Sequence, residues 1–205
     1  MIRTSILTRI ATCIAALILG PATAVAGPAE WALDSENSTV SFVSLKNVDV
    51  AEAHRFASIS GGISGMGRLN LEIALDSVDT RIPIRDERMR EHLFTTQEFP
   101  TAEISGQLDW QTYADLEPGQ SLDTEVRIEL NFRGATTPFL ATVQVSALDG
   151  QVIQAVSSAP ILVSARSLGV ADGVEKLREI AGLQSISMAV PVYFSLRFRQ
   201  ASHRH

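Results

Sequence analysis

The segment that decides the fold reads Arg68-Leu69-Asn70-Leu71-Glu72-Ile73-Ala74-Leu75-Asp76. Leu69, Leu71 and Ile73 occupy every second position, and polar side chains fill most of the positions between them. Successive side chains of a β-strand point to opposite faces, so this period of two indicates a strand with one apolar and one solvated face. Such a strand needs another surface to cover its apolar face.

The same alternation recurs along the chain. Four further segments show it clearly: 101–110, 126–133, 139–147 and 190–199. Weaker strands are predicted at 38–45, 57–63, 151–157 and 159–165. About eight or nine strands joined mostly by short turns favour a meander that closes on itself, so the predicted fold is all-β, a single antiparallel β-barrel. The lumen of a barrel of about eight strands holds packed side chains or one slender ligand.

Two segments break the strand pattern and predict short helices. In 81–94, Asp86 and Arg90 are spaced to form an ion pair across one helical turn. In 170–183, apolar residues recur at helical spacing, and Gly182 is placed to end the helix. We expect one or two short helices of this kind to cover the barrel ends or to form flaps over its mouth.

The N-terminal segment has the composition of a secretory signal peptide. Arg3 and Arg9 give a positive start, an apolar run follows over 10–20, and small residues lie at 24–26. The apolar run is shorter than the roughly 20 residues of a membrane-spanning helix. We therefore predict a signal peptide over residues 1–26, a single mature domain over residues 27–205, and export of that domain.

Cysteine content and net charge exclude several classes of function for the predicted mature chain. Cys13 is the only cysteine of the sequence and lies in the predicted signal peptide. Disulfides, cysteine-ligated zinc and a cysteine nucleophile are therefore excluded. Without Arg3 and Arg9, the predicted mature chain has 15 Lys and Arg against 23 Asp and Glu, a formal net charge of −8, which argues against nucleic acid or an anionic membrane as the main partner.

No motif of the sequence predicts catalysis. The glycine-rich segment 61–67 fits neither a serine-hydrolase elbow nor a phosphate loop, and we interpret it as a hairpin turn with a bulge. His54 and His92 lack a second ligand at metal-binding spacing and are interpreted as structural or surface residues. The charged run 85–91 is either a solvated helical face or a set of groups that meets the polar head of a ligand. The sequence predicts no catalytic residue, no metal site and no cofactor.

Three local motifs resemble one known family. The first joins Trp31-Ala32-Leu33-Asp34 to Ser38-Thr39-Val40-Ser41-Phe42, the second runs from Ser77 through Arg85-Asp86 and His92-Leu93-Phe94 to Phe99-Pro100, and the third is Leu130-Asn131-Phe132-Arg133-Gly134-Ala135-Thr136-Thr137-Pro138. With these motifs, essentially the whole mature chain resembles the YceI-like, polyisoprenoid-binding periplasmic proteins. The resemblance implies a lipocalin-like extended barrel, a tunnel-like lumen that binds an isoprenoid or a related lipid mainly by apolar contact, and a periplasmic location.

Two positions depart from the pattern of that family. Residues 174–183 have a helical pattern where many relatives continue more directly into strands, and Thr137 replaces a residue that is often lysine. Because the helical segment lies near the C-terminus and is expected to cover one barrel end, the mouth of the lumen and its cargo are expected to differ from those relatives.

The resulting prediction is a soluble exported protein that is not an enzyme and that binds an isoprenoid, quinone-like or polyprenyl lipid for carriage, storage or stress protection. Alternation predicts the following apolar lumen residues as ligand-binding: Phe42, Phe56, Phe94, Phe99, Ile128, Phe132, Val143 and Phe194. The expected partners are the lipid itself, a membrane during transient lipid exchange, and a second copy in a homodimer. Two alternatives stay open: an enzyme that acts on a lipid held in the lumen, and a small outer-membrane barrel.

Overall fold

The computed structural model describes residues 29–201, and the predicted signal peptide lies outside the described residues. The strands are β1 (Ala29–Leu33), β2 (Thr39–Lys46), β3 (Val50–Phe56), β4 (Ile59–Ser64), β5 (Arg68–Ala74), β6 (Val78–Asp79), β7 (Thr101–Gln107), β8 (Ser121–Phe132), β9 (Ala135–Asp149), β10 (Val152–Ser157), β11 (Ile161–Ser164) and β12 (Ala189–Gln200). The helices are α1 (Pro83–Arg88), α2 (Trp110–Ala114) and α3 (Ala171–Ile180), with a π-helix (Met89–Phe94) and short 3-10 turns (Ser35–Asn37 and Leu75–Ser77).

Eight of these strands close a barrel. Their order is β1-β4-β5-β7-β8-β9-β10-β12, every neighbouring pair is antiparallel, and β12 returns to β1 with Trp31 opposite Gln200. Closure leaves this ring of strands without an open edge, which protects the backbone donors and acceptors from pairing with another chain. The predicted all-β, lipocalin-like barrel of about eight antiparallel strands is confirmed.

The remaining strands lengthen the barrel at one end, which we call the upper half and define by β2, β3, β6 and β11. Only a few residues separate β1 from β2, β3 from β4, and β5 from β6, so each pair continues one course along the barrel wall. β12 spans both halves because it pairs with β1 and β10 toward its C-terminus and with β2 and β11 toward its N-terminus. The chain is therefore a meander of eight long, partly interrupted strands.

Helices cover the upper half, as the two irregular segments predict. α1 begins at Pro83, whose fixed φ suits the first helical position, and continues directly into the π-helix. α3 packs on that π-helix so closely that a Cβ on Gly173 would lie 2.5 Å from the carbonyl oxygen of His92. Gly182, with φ of +64°, follows the end of α3.

The predicted ion pair between Asp86 and Arg90 is wrong. Asp86 is buried, and its Oδ1 accepts hydrogen bonds from the backbone N–H and the hydroxyl of Thr80 at 2.8 and 2.6 Å. Arg90 instead donates from Nε to the backbone oxygen of Asp76 at 2.7 Å. A buried carboxylate needs hydrogen-bond donors, and the backbone N–H and the short side chain of Thr80 supply two of them in place of the long side chain of Arg90.

α2 closes the lower end of the barrel and is absent from the sequence prediction, which extends a strand through Trp110. The indole of Trp110 lies edge-on to that of Trp31, with ring centroids 5.4 Å apart, and also contacts Tyr113. Within residues 29–201, no helix has the length and apolar composition needed to cross a membrane.

The glycine-rich segment is only partly a turn. Gly67, with φ of +76°, ends the β4–β5 turn, whereas Gly61 lies inside β4 with φ of +131°. A Cβ at Gly61 would lie 2.1 Å from the backbone oxygen of Asn70 on the adjacent strand. Gly61 thus permits close approach of two strands, which is the second common use of a glycine within a sheet.

Replacing Gly61 with alanine is expected to destabilise the protein by at least about 2 kcal/mol, because both the positive φ and the contact with Asn70 must change. Urea unfolding followed by circular dichroism measures the effect. Gly150→Ala is the matched control, since nothing lies within 4 Å of the added Cβ, and it should alter stability by less than about 0.5 kcal/mol. Equal stability of the two variants would contradict the close approach.

Candidate ligand cavity

A cavity of about 460 Å³ lies in the upper half of the barrel, beneath α1, the π-helix and α3. A second cavity of about 120 Å³ lies deeper, in the closed eight-stranded half. The alternation of each strand turns its apolar side chains into this space, so most of both walls consists of aliphatic and aromatic groups. A concave, mainly apolar site with a few polar groups is the usual form of a small-molecule pocket.

The two cavities meet at a ring of residues that we call the collar. Each member is β-branched and lines both cavities, and each comes from a different strand: Val40, Ile73, Ile104, Ile128, Ile161 and Val192. β-branched side chains are restricted at χ1, so the collar has a comparatively fixed width. The lumen is therefore a wide upper chamber that narrows into a smaller lower one.

Four of the aromatic residues predicted from alternation line the upper chamber in a continuous row. The ring centroids of Phe42 and Phe56 are 5.5 Å apart, those of Phe56 and Phe94 are 5.7 Å apart, and those of Phe94 and Phe132 are 6.4 Å apart. These separations are typical of packed aromatic pairs. The row gives the chamber an extended apolar wall from β2 across to β8.

The other four predicted residues are distributed differently. Ile128 belongs to the collar, while Val143 and Phe194 line the lower chamber. Phe99 lines neither chamber, and the guanidinium carbon of Arg133 lies 5.2 Å from the centroid of its ring. Phe99 follows the π-helix in a turn before β7, where strand alternation does not apply. For all eight residues, contact with a ligand stays a prediction.

Sequence reasoning missed the polar wall that β2 and β3 add to the upper chamber. Phe42 pairs with His54, and Ser44 pairs with Glu52 one step closer to the hairpin that joins the two strands. Lys46 is the next inward residue of β2 and also lines the chamber. Polarity therefore rises in layers from the collar to the hairpin. Residues 50–56 show no clear apolar alternation that would predict this wall, because the inward residues Glu52 and His54 are polar.

Charged groups form the outermost layer. The Glu52 carboxylate lies 2.9 Å from the Lys46 ammonium and also accepts a hydrogen bond from the Arg85 guanidinium. Burial alone would raise the pKa of Glu52, but hydrogen bonds from Lys46 and Arg85 outweigh it and hold that pKa below its ordinary value. Arg85 also donates to the hydroxyl and the carbonyl oxygen of Thr80, so its guanidinium is anchored on several sides.

His54 is the most deeply buried polar residue of this wall, with an exposed fraction of 5%. Its Nε2 lies 2.8 Å from the Ser44 hydroxyl, whereas its Nδ1 is buried and has no hydrogen-bond partner among the described residues. Burial, and secondly the positive charge of Arg85, lower the pKa of His54 below its ordinary value of 6.5. The imidazole is therefore neutral at pH 7. His92, by contrast, lies outside the lining and faces Glu91 at 3.7 Å.

The Ser44–His54 pair has the first two elements of a nucleophile and its base. A catalytic arrangement of this type also needs a group that orients the imidazole through its other nitrogen. In the part of the chain described here, Nδ1 has no such partner, and no cluster of three His, Cys, Asp or Glu side chains could hold a metal ion. The geometry is suited to holding an amphiphile, with apolar contact below and hydrogen bonding above.

The sequence model of the YceI-like domain matches residues 31–198. The chain belongs to the YceI-like family. The matched segment includes every residue of the collar and of the row of aromatic rings. A comparison with curated proteins found no match.

Solved structures of YceI-like and similar proteins share this fold. A polyisoprenoid binding domain from Saccharophagus degradans, implicated in plant cell wall breakdown, is 34% identical with a TM-score of 0.83, over 85% of this chain and 100% of that one. BcnA of Burkholderia cenocepacia is 19% identical with a TM-score of 0.60, over 80% and 98% of the two chains. A YceI protein of Campylobacter jejuni is 12% identical with a TM-score of 0.54, over 73% and 85%. The last two similarities, at 19% and 12% identity, concern the fold alone.

Stability should depend on pH through His54. The unfolded chain binds a proton at this histidine near pH 6.5, but the folded chain binds it only at lower pH. The contribution of neutral His54 to the free energy of unfolding is therefore complete above pH 6.5 and is lost as pH falls through the lowered folded-state pKa. The free energy of unfolding falls by at most about 1.4 kcal/mol per pH unit through this one group. Nearby charges that modulate this titration are Arg85, Glu52, Asp86 and Arg81.

Urea unfolding of the parent protein and His54→Gln between pH 8 and pH 5 measures this contribution. The parent should lose more stability than His54→Gln over that range, because the variant has no imidazole to protonate. Gly150→Ala, which alters no titratable group and places its Cβ in open space, should retain the pH dependence of the parent. Identical pH dependence in the parent and His54→Gln would show that His54 titrates normally in the fold.

Proposed function

We propose that this protein is an exported, periplasmic binder that carries or stores one long isoprenoid or related lipid in its lumen, without transforming it. The observation that carries the proposal is the shape of the lumen: a wide apolar chamber, a β-branched collar and a second apolar chamber in line, with polar groups at one end only. The 34% identical Saccharophagus degradans domain, named for polyisoprenoid binding, supports the same class of cargo.

Apolar contact is sufficient to hold such a cargo. Burial of apolar surface contributes about 25 cal/mol per Å², or about 0.8 kcal/mol per buried CH₂. An isoprenoid chain is slender, methyl-branched and without hydrogen-bonding groups along its length, so it suits a lumen whose polar residues are confined to one end. The export that we predict from the N-terminal sequence is consistent with this function, because a strongly apolar lipid needs a protein to cross an aqueous compartment.

Transient contact with a membrane would load and unload the cargo. Val48 at the tip of the β2–β3 hairpin is 87% exposed and adopts a φ of +78°, and Ile84 on α1 is 52% exposed. Both flank residues that line the upper chamber, namely Lys46 and Arg85. Exposed apolar side chains beside a cavity mouth are suited to dipping into the apolar boundary of a bilayer.

The two alternatives fit the structure less well. An outer-membrane barrel must present an apolar band to lipid, yet β8 directs Arg127, Glu129 and Asn131 outward and its apolar residues into the lumen. An enzyme is favoured only by the Ser44–His54 contact, which lacks an orienting group among the described residues. Binding without chemistry accounts for the same groups.

Native mass spectrometry of the full chain, expressed with its own N-terminus and purified from periplasm without detergent, tests the proposal. We expect the protein mass to be that of a chain beginning at Gly27. We also expect one intact lipid per protein, which organic extraction should identify as an isoprenoid. A folded protein that is empty, and that also fails to bind added polyprenyl lipids, would contradict the proposed function.

Narrowing the collar should reduce the length of the lipid chain that the lumen can hold. Ile128→Trp places a large ring where the two chambers meet, so the lower chamber should become inaccessible while the upper one remains open. Against a series of prenyl alcohols of increasing length, affinity should stop rising at a shorter chain than in the parent protein. Leu140→Trp, at a 55% exposed site on the outer face of β9, is the matched control and should leave the series unchanged. Equal behaviour of both variants would show that the lower chamber holds no cargo.

A further inference from the structure

Among residues 29–201, the polar end of the upper chamber contains one buried side-chain nitrogen without a hydrogen-bond partner. His54 is 5% exposed, lines the chamber and uses Nε2 to contact Ser44 at 2.8 Å, but its Nδ1 is buried and unpartnered within residues 29–201. A buried polar atom without a partner costs free energy, and most such atoms in native proteins are satisfied. A ligand atom in the chamber would supply the missing partner.

The position of His54 defines where a ligand head would lie. It pairs with Phe42, one layer above the Val40–Phe56 pair that adjoins the collar and one layer below Ser44 and Glu52. A bound lipid chain whose tail lies in the lower chamber would therefore run upward through the collar and along the aromatic row to the imidazole. An amphiphile that lies this way has its tail in the two apolar chambers and its head at His54.

The charges around His54 favour a neutral head. Glu52 lies one inward layer away and forms ion pairs with both Lys46 and Arg85, and the carboxylate of the buried Asp86 adds a second negative charge near His54. An anionic head at this level would therefore face two carboxylates, while Lys46 and Arg85 are already ion-paired. The donors of Arg85 are further engaged by Thr80. Arg88 also lines the chamber, and it is the residue through which a phosphate head would bind if this argument fails.

We propose that the cargo is an amphiphile with a neutral, oxygen-bearing head, a hydroxyl or a carbonyl, that forms a hydrogen bond with Nδ1 of His54. This proposal rests on the proposed function and adds the chemical class of the head group. A hydroxyl can pair with either tautomer of the imidazole, because it both donates and accepts. A carbonyl requires the proton on Nδ1, with Nε2 accepting from the Ser44 hydroxyl.

Four probes of equal chain length test the head group: geranylgeraniol, a geranylgeranyl benzoquinone, geranylgeranyl phosphate and the corresponding hydrocarbon. Binding is measured by isothermal titration calorimetry at pH 7.5. The parent protein should bind the alcohol about tenfold more tightly than the hydrocarbon, as expected when a buried polar atom gains its partner. Equal gain for the quinone would place the proton of the imidazole on Nδ1, and gain for the alcohol alone would place it on Nε2; both results support the proposal.

Two variants separate His54 from the charged layer. His54→Phe keeps an aromatic ring beside Phe42 and should remove the preference for the alcohol while leaving hydrocarbon affinity within about twofold; His92→Phe is the matched control and should behave as the parent. Tightest binding of the phosphate, lost in Arg88→Gln, would overturn the proposal and assign an anionic head. Equal affinity for the alcohol and the hydrocarbon in the parent would also overturn it, with the proposed function intact, whereas failure of all four probes to bind would overturn both.

Discussion

Strand β12 is the element on which the rest of the structure depends, because its backbone pairs with four other strands. Near its C-terminus it joins β10 to β1 and so closes the barrel, and near its N-terminus it joins β11 to β2 and so extends the wall upward. A change of one residue in its register would turn all its inward side chains outward. The two chambers and the collar therefore depend on one set of backbone hydrogen bonds.

The barrel could be predicted from sequence because its strongest strands combine strict alternation with one apolar face. Residues 68–76 show this clearly, and their inward side chains are buried as expected. β3 escaped prediction because His54 and Glu52 face inward, so its alternation has no apolar signal. α2 escaped prediction because Trp110 continues the apolar face of the preceding strand, although its ring instead packs on Trp31 at the barrel end.

Which residues line the lumen could be predicted only where strand alternation is visible in the sequence. Phe42 and Phe132 lie on strands whose alternation is visible in the sequence, and both line the upper chamber. Phe99 does not, because a turn sets its direction and Arg133 covers its ring. The orphaned nitrogen of His54 depends on pairing between strands and on a contact with Ser44, so no local pattern encodes it. Polar side chains that line a lumen can be identified only when the register between neighbouring strands is known.

The collar also has a consequence for the order of events during exchange. Its ring of β-branched side chains opens into the lower chamber, so a long lipid bound as proposed would enter with its tail first and leave with its head first. Whatever receives the guest therefore meets the same chemical end each time. For the lipid carrier proposed above, the collar would thus set a direction of delivery as well as a volume of storage.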